Sequence, residues 1–262
     1  MPEGAPPGLY LYCIAADQSR GAALTVSAPA LDGSVVRVVS QDGLLVAVHA
    51  CPAEPYQGSP DDVHSWILAH NKVVTEVWEG AGTVLPMTFD SIVTGGGGRD
   101  AESALADWIG EHREILKAML TELDGKVELG VRIYYNDVPL ERSERVAVAR
   151  GREYFQNQIS KRREAADRQL RLDAEANRIV DSLGTLAHSI RLNQPNATAQ
   201  TPDEADGREL LSVSLLVERQ RVPEVGSFLD AVTTEGYRVR FTGPWPPYSF
   251  ADALRVPDRG DS

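Results

Sequence analysis

Between Arg152 and Leu183 the chain runs for 32 residues without a glycine or a proline. Because these two residue types interrupt helices, the stretch predicts one long helix, about 48 Å in length at 1.5 Å per residue. It forms most of a highly charged segment that begins near Glu141. The rest of the fold has to be arranged around this helix.

The patterns on either side of the long helix predict the order β-α-β-β-α-β, which is the ferredoxin-like arrangement. Partial alternation of apolar residues indicates the first of these strands, and short apolar runs indicate the others. The predicted strands are Lys126–Tyr135, Ala187–Gln194, Leu210–Glu218 and Tyr237–Thr242, the second helix is Val222–Glu235, and a polar loop covers Pro195–Gly207.

The pattern of the first half of the chain predicts the order β-β-β-α-β-α, a variant of the ferredoxin-like arrangement. Asp42-Gly43 is a strong hairpin signal, and Ser59-Pro60-Asp61-Asp62 combines a helix cap, a proline at the first turn and two acids. The predicted strands are Leu9–Ala15, Val35–Ser40, Leu44–His49 and Thr83–Val93, and the helices begin after Ser59 and span Ala101–Leu123. The inward residues expected on the second helix are Leu105, Trp108, Ile109, Ile115, Leu116, Met119 and Leu120.

These patterns predict an α+β fold of two domains. The N-terminal α+β domain covers residues 1–124, and the ferredoxin-like domain covers residues 125–243, with Asp124-Gly125 as the boundary. Residues 244–262 are expected to form a tail, rich in proline and aromatic residues at its start, that packs back on the fold.

Composition excludes several classes of protein. A net charge of −12 argues against a nucleic-acid binder, and no apolar run approaches the roughly 18–20 residues that span a bilayer. The N-terminus lacks the basic residues of a secretory signal, so we expect a soluble cytoplasmic protein. Cys13 and Cys51 are too few for a disulfide framework, although adjacent strands could bring them near one another.

No catalytic constellation, cofactor motif or metal-ligand cluster emerges, and we expect no catalytic, cofactor or metal site and no small-molecule substrate. Gly95–Gly98 precedes a helix but lacks the ending of a phosphate-binding loop, so it predicts a flexible linker. His64 and His70 do not share a helix face, and His70 lies in the apolar stripe of a core or interface histidine. No carboxylate is identified as an isolated acid within an apolar stretch.

The charged segment has two interpretations. The segment from Glu141 to Arg178 contains ten basic and seven acidic residues, a net charge of about +3. The rest of the chain therefore carries a net charge of −15. A solvated helix with ion pairs along its surface is one interpretation. A docking helix, on which Lys161-Arg162-Arg163 meets an acidic partner, is the other.

The most specific local signal is Gly243-Pro244-Trp245-Pro246-Pro247-Tyr248-Ser249-Phe250. Three prolines hold Trp245, Tyr248 and Phe250 on a stiff backbone. The rings either bury themselves as a plug over a domain or form an aromatic anchor at an interface with another protein. The stiffness favours the plug, in which Trp245 and Phe250 seal a core.

At these residues the chain resembles the gas vesicle protein F/L family. Residues 243–250 closely match the C-terminal signature of that family. Thr83-Val84-Leu85-Pro86-Met87-Thr88-Phe89 is similar to a second family segment, although Thr88-Phe89-Asp90 stands where the family more often has Arg-Phe-Gly. A third similarity is Leu123–Val131, which matches the family's Leu-x-Gly-x-x-Glu-x-x-Val. Together the three stretches extend the resemblance over nearly the whole chain.

The resemblance implies a non-catalytic accessory or minor structural protein of gas vesicle assembly, located in the cytoplasm and at the gas vesicle. Its partners would be the small hydrophobic wall protein and other accessory proteins. A ligand-binding or enzymatic ferredoxin-like protein with a cleft between its domains is the main alternative. An interaction module unrelated to vesicles is a third possibility.

Overall fold

The computed structural model describes residues 8–17, 24–135, 151–193 and 207–251, with the backbone alone at residues 151–157 and 161. It is a mixed α+β structure with two sheets, as predicted. The predicted Pro195–Gly207 loop, except Gly207, and the start of the charged segment at 141–150 lie outside the described residues.

The first sheet is built around a central, almost wholly buried strand, β1. The strand order is β2-β3-β1-β4, and β5 also pairs with β1. Each of these pairings is antiparallel. The five strands are β1 (Gly8–Ala16), β2 (Arg37–Gln41), β3 (Leu44–Cys51), β4 (Val84–Pro86) and β5 (Ile92–Thr94).

The predicted hairpin between β2 and β3 is confirmed. Gln41 pairs with Leu44, and the two residues between them adopt positive φ angles, 52° at Asp42 and 78° at Gly43. A two-residue turn with both φ values positive has the twist that the flanking strands need, and Asp-Gly tolerates it best. The register of the hairpin therefore follows from this dipeptide.

The prediction of a single strand over Thr83–Val93 is wrong. Two short strands, β4 and β5, occupy this stretch and pair with different parts of β1: β4 with Cys13–Ala15 and β5 with Gly8–Tyr10. Between them the chain turns, and Asp90 has φ 70°, which no strand accommodates. Local apolar pattern alone cannot reveal this break, because both halves face the same core.

Two helices accompany the first sheet: α1 (Pro60–Ala81) and α2 (Ala101–Leu123). The hydroxyl of Ser59 accepts from the Asp62 amide and the Asp62 carboxylate accepts from the Ser59 amide, so the capping box completes the predicted start of α1. Gly82, at φ 83°, ends that helix. Asp100 caps α2 by accepting a hydrogen bond from the Ser103 amide.

Most of the predicted inward face of α2 is confirmed. Five predicted positions are buried, namely Leu105, Trp108, Ile109, Leu116 and Leu120. Met119 is half-buried, whereas Ile115 is exposed, which corrects its assignment. Ile115 lies next to Leu116 along the helix, about 100° away around its axis, and so falls outside the stripe that Leu116 and Leu120 bury.

The second sheet has the strand order β7-β8-β6-β9. Its strands are interrupted by two helices in the predicted sequence order, and β7 pairs antiparallel with β8. The elements are β6 (Lys126–Tyr135), α3 (Gly151–Leu186), β7 (Ser189–Leu192), β8 (Arg208–Glu218), α4 (Val222–Thr234) and β9 (Arg238–Trp245). Strand β9 is longer than predicted, because it continues through Gly243-Pro244-Trp245.

The chain divides into two compact units. The first comprises residues 1–128 and 244–262, and the second comprises residues 129–243. Within the described ranges, every helix is too short or too polar to cross a bilayer.

Candidate interaction sites

A buried carboxylate marks the most distinctive polar site of the first unit. Val127, Leu129 and Val131 alternate along β6 and are fully buried, so Glu128 points to the other face of the strand. There it is only 8% exposed. Its carboxylate accepts hydrogen bonds from the Ser249 amide at 2.7 Å and from the Ser249 hydroxyl at 2.5 Å.

This position was not identified from the sequence, which indicated no isolated acid in an apolar stretch. A buried charge needs compensating hydrogen bonds, and Ser249 supplies two of them. The alternation of β6 placed Glu128 on the face opposite Val127, Leu129 and Val131, but it could not show that this face is also covered at Glu128. A signal was present in the family's Leu-x-Gly-x-x-Glu-x-x-Val pattern, whose glutamate is this residue.

The C-terminal aromatic segment, Gly243–Phe250, is anchored by its second half. Pro246 and Pro247 are buried, and Tyr248–Phe250 form a short 3-10 helix. The Tyr248 hydroxyl donates to the Asn71 side-chain oxygen on α1 at 2.8 Å. Together with the bonds from Ser249 to Glu128, this contact fixes the segment at two neighbouring residues.

Tyr248 reaches the edge of a cluster of aromatic and imidazole rings, which we call the Tyr10 cluster. Its ring centroid lies 6.3 Å from that of His70. Tyr10 is central, because its ring approaches Tyr12 at 4.8 Å and its hydroxyl lies 2.9 Å from Nδ1 of His70. The members are Tyr10, Tyr12, His49, Tyr56, His70, Phe89 and Tyr248.

The protonation state of the cluster follows from its hydrogen bonds and its burial. The Tyr10 hydroxyl accepts from the Asp90 amide at 3.0 Å, so we assign its own proton to Nδ1 of His70, which leaves His70 protonated on Nε2. Burial lowers the pKa of His70 to about 4 and raises the pKa of Tyr10 well above its usual range. Burial also lowers the pKa of His49 and raises that of Tyr248. The cluster is therefore neutral at physiological pH.

Asp90 connects this cluster to the turn between β4 and β5. Its carboxylate accepts from the Tyr56 amide at 3.0 Å while its backbone stays in the left-handed region. The family more often has glycine at this position, and a positive φ explains that preference. Thr88, where the family more often has arginine, lies 3.2 Å from the Ser91 hydroxyl.

The plug interpretation fails for Trp245, whose side chain is 51% exposed. The ring lies in β9, ahead of the two buried prolines, and is not covered as a core residue would be. Phe250 is half-buried. Tyr248, rather than Trp245, is the residue that anchors the segment, whereas Trp245 presents an apolar ring to solvent.

The basic positions on α3 are exposed where the structure describes them. Arg162 and Arg163 are exposed, and the Lys161 side chain lies outside the described residues.

The two cysteines noted in the sequence lie in the core. Cys13 and Cys51 are buried free thiols, but they are not neighbours, since Cys51 pairs with Gly8 and Cys13 with Ala47.

A hollow of about 390 Å³ lies beside the Gly95–Gly98 loop. Arg99 and Asp107, which line it, form an ion pair with each other, and the Trp108 and His112 rings stack at 5.1 Å. Gly97 and Gly98 have positive φ, as a turn requires. In the part of the chain that the structure describes, no group of three or more His, Cys, Asp or Glu is arranged to hold a metal ion.

The three sequence stretches that carry the family resemblance meet in the first unit. Ser249 of the C-terminal segment bonds to Glu128 of the Leu123–Val131 stretch. Thr83, at the start of the remaining stretch, donates its hydroxyl to the Asp124 carboxylate at 2.8 Å. Contacts between residues so distant in sequence give the three motifs a shared structural role.

Comparison with known proteins identifies the family of this chain. Residues 8–252 match the family described as "Gas vesicle synthesis protein GvpL/GvpF". Gas vesicle protein L2 of Halobacterium salinarum is 29% identical over 93% of this chain and 91% of its own length. Gas vesicle protein L of a Streptomyces species is 26% identical over 92% of both chains.

Two crystal structures share the fold. The gas vesicle protein GvpF from Anabaena aligns with a TM-score of 0.67 at 18% identity, over 95% of this chain and 97% of that one. GvpF from Microcystis aeruginosa aligns with a TM-score of 0.65 at 22% identity, over 94% and 99%. With a family match over residues 8–252, this chain belongs to the GvpL/GvpF family of gas vesicle synthesis proteins.

Proposed function

We propose that this protein is a non-catalytic accessory or minor structural protein of gas vesicle assembly. It acts in the cytoplasm and contacts the hydrophobic wall protein and other accessory proteins. The observation that carries the proposal is the family match across residues 8–252. A wall subunit with an apolar side needs a partner that limits its aggregation until it joins the shell.

Trp245 supports the proposal as a contact residue for the wall protein. An aromatic ring that is half exposed on an anchored backbone loses little conformational entropy on binding, and such residues contribute strongly to interfaces. The anchoring by Tyr248 and Ser249 holds the segment in place without covering this ring. We assign Trp245 to the contact, and Tyr248 and Phe250 to its support.

Lys161-Arg162-Arg163 is proposed as a second contact, for an acidic accessory protein. The segment is locally basic within a chain whose net charge is −12. Complementary charge increases association rates in a salt-dependent manner.

The domain description is also part of the proposal: residues 1–124, residues 125–243 and a tail from residue 244. The two compact units, which divide after residue 128 and place 244–262 with the first, support it. The strand order β7-β8-β6-β9 supports a ferredoxin-like second domain. Limited proteolysis should cut first near Gly95–Gly98, at the 124–125 boundary or within Pro195–Gly207, and early cuts within α1 or β8 would contradict these limits.

The experiment that tests the function is complementation of vesicle formation in a host lacking this gene. Trp245→Ala should abolish or sharply reduce vesicles while the melting temperature stays close to wild type. Leu192→Ala, which removes another exposed apolar side chain, is the matched control and should support normal vesicles. Normal vesicles with Trp245→Ala would exclude Trp245 as a contact, and vesicle formation without this gene would contradict the proposed function itself.

A charge reversal tests the second contact. Changing Lys161, Arg162 and Arg163 to glutamate should weaken binding to an accessory protein and reduce its salt dependence. A triple reversal at Arg208, Arg219 and Arg238, which are also exposed, controls for net charge. Equal effects of the two triple variants would show that only net charge matters.

A further inference from the structure

The first half of helix α3 has an unusual environment. Every described side chain from Gln158 to Arg171 is exposed, on all sides of the helix. The second half is different, because Ile179 and Leu183 are fully buried. The exposed half continues a helix whose second half is packed, but it buries none of its own described side chains, so a partner that covers it would add stability.

The exposed half carries an apolar stripe that does not face the second unit's core. Ile159 is 52% exposed and Leu170 is 67% exposed, and exposed Ala166 lies between them. Spacings of seven and four residues place the three side chains on one face. At 100° per residue, that face lies about 140° around the helix from Ile179 and Leu183.

Two opposite charges border the stripe. Arg163 and Asp167 are both exposed, and neither has an ion-pair partner among the residues that the structure describes. A hollow of about 410 Å³ lies between them, lined by Ile159, Ser160, Arg163, Glu164 and Asp167. The face thus combines apolar side chains, a depression and, along one side, an arginine and an aspartate four residues apart.

We propose that this face pairs with the same face of a second copy of the chain, with the two α3 helices antiparallel. Ile159 of one copy then lies against Leu170 of the other, and Arg163 lies against Asp167. Both pairs are centred at residues 164–165, so a single two-fold axis makes each contact twice. In a parallel pair, Arg163 would instead face Arg163.

Arg163 and Asp167 together favour a second copy as the occupant of this face. The acidic accessory protein proposed above would approach the basic segment from the side of Arg162, which is exposed and lies about 100° around the helix from Arg163, away from Asp167. An acidic protein that approached Arg163 here would also meet Asp167, at the cost of like-charge repulsion. A second copy in the antiparallel orientation satisfies both charges. The contact spans about three turns, at the small end of interface sizes, so the dimer dissociates on dilution. This pairing does not depend on the proposed role in vesicle assembly.

Sedimentation equilibrium of the full chain over a range of concentrations tests the pairing. Wild type should show a reversible monomer–dimer equilibrium. Leu170→Asp and Arg163→Asp should each raise the dimer dissociation constant by roughly tenfold or more. The double variant Arg163→Asp/Asp167→Arg should restore dimerisation, because the exchanged charges still meet. Arg168→Asp, on the opposite side of the helix, is the matched control and should dimerise as wild type does.

Disulfide trapping gives a second readout that does not depend on stability. The variant Ile159→Cys/Leu170→Cys should form a covalent dimer on mild oxidation, and the two positions are too far apart on one helix to bridge within a chain. The native thiols, Cys13 and Cys51, are buried. A wild type that is monomeric at all concentrations, a charge-exchanged variant that stays monomeric while folded, or trapping that yields no dimer would each overturn the proposal.

Discussion

The carboxylate of Glu128 accepts two hydrogen bonds from Ser249, one from its amide at 2.7 Å and one from its hydroxyl at 2.5 Å. The two residues are separated by 121 positions in the sequence. Glu128 is the third residue of β6, and Ser249 lies in the short 3-10 helix near the end of the described chain. This bond joins two of the family's sequence signatures and makes the glutamate a structural residue.

Removal of this carboxylate should release the C-terminal segment. Glu128→Ala leaves the Ser249 amide and hydroxyl without their acceptor, so we expect the free energy of unfolding to fall by about 1–3 kcal/mol. Glu128→Gln should cost less, because the amide oxygen still accepts. Urea denaturation measures both, with Glu79→Ala on the exposed side of α1 as the control. Equal midpoints for Glu128→Ala and Glu79→Ala would contradict the anchoring role.

The aromatic segment should divide into a supporting half and a contacting half. Tyr248→Ala removes a largely buried ring and its bond to Asn71, and we expect a loss of roughly 3–5 kcal/mol in stability. Trp245→Ala should cost at most about 1 kcal/mol, since its ring is half exposed, and the melting temperature of this variant should stay close to wild type. Thermal unfolding of the two variants compares them directly. A larger loss of stability in Trp245→Ala than in Tyr248→Ala would support the interpretation that Trp245 is a core residue.

Local signals in the sequence predicted the local parts of this fold. The capping residue Ser59, the Asp42-Gly43 turn and the apolar spacing of α2 each act within a few residues, and the corresponding elements begin and end close to where they were predicted.

Features that depend on distant partners were missed. Thr83–Val93 divides into β4 and β5 because each half pairs with a different part of β1, and Glu128 is buried because Ser249 covers it. Trp245 was assigned to a core because a proline-rich backbone suggests rigidity, and rigidity does not determine which ring is covered. The family resemblance identified all three stretches as important without giving their contacts.

Asp90 offers a test of how this chain replaces the family's more frequent glycine. Asp90→Ala loses the bond to the Tyr56 amide and keeps an unfavourable φ of 70° without a compensating side chain. Asp90→Gly loses the same bond but removes the backbone strain, which costs about 1–2 kcal/mol for an ordinary residue. We therefore expect Gly to be more stable than Ala by about 1 kcal/mol in urea denaturation. The opposite order would show that the backbone conformation contributes little here.

Acid should destabilise this protein through His70, starting at an unusually high pH. His70 is 2% exposed, and its burial lowers the pKa to about 4 from 6.5. Between these values the unfolded chain binds the proton and the folded chain does not, so stability is complete above pH 6.5 and decreases as the pH falls towards 4. His49, whose pKa is also lowered by burial, adds to the loss in the same direction.

The decrease between pH 6.5 and pH 5 should reach about 2 kcal/mol from His70, at 1.36 kcal/mol per pKa unit. Carboxylates held by hydrogen bonds, such as those of Asp62 and Glu76, have lowered pKa values and titrate below this window. Urea denaturation at several pH values measures the slope. His70→Gln should flatten it, whereas His64→Gln, which alters an exposed histidine on the same helix, should leave it unchanged. A slope that is the same in wild type and His70→Gln would mean that His70 does not titrate differently on folding.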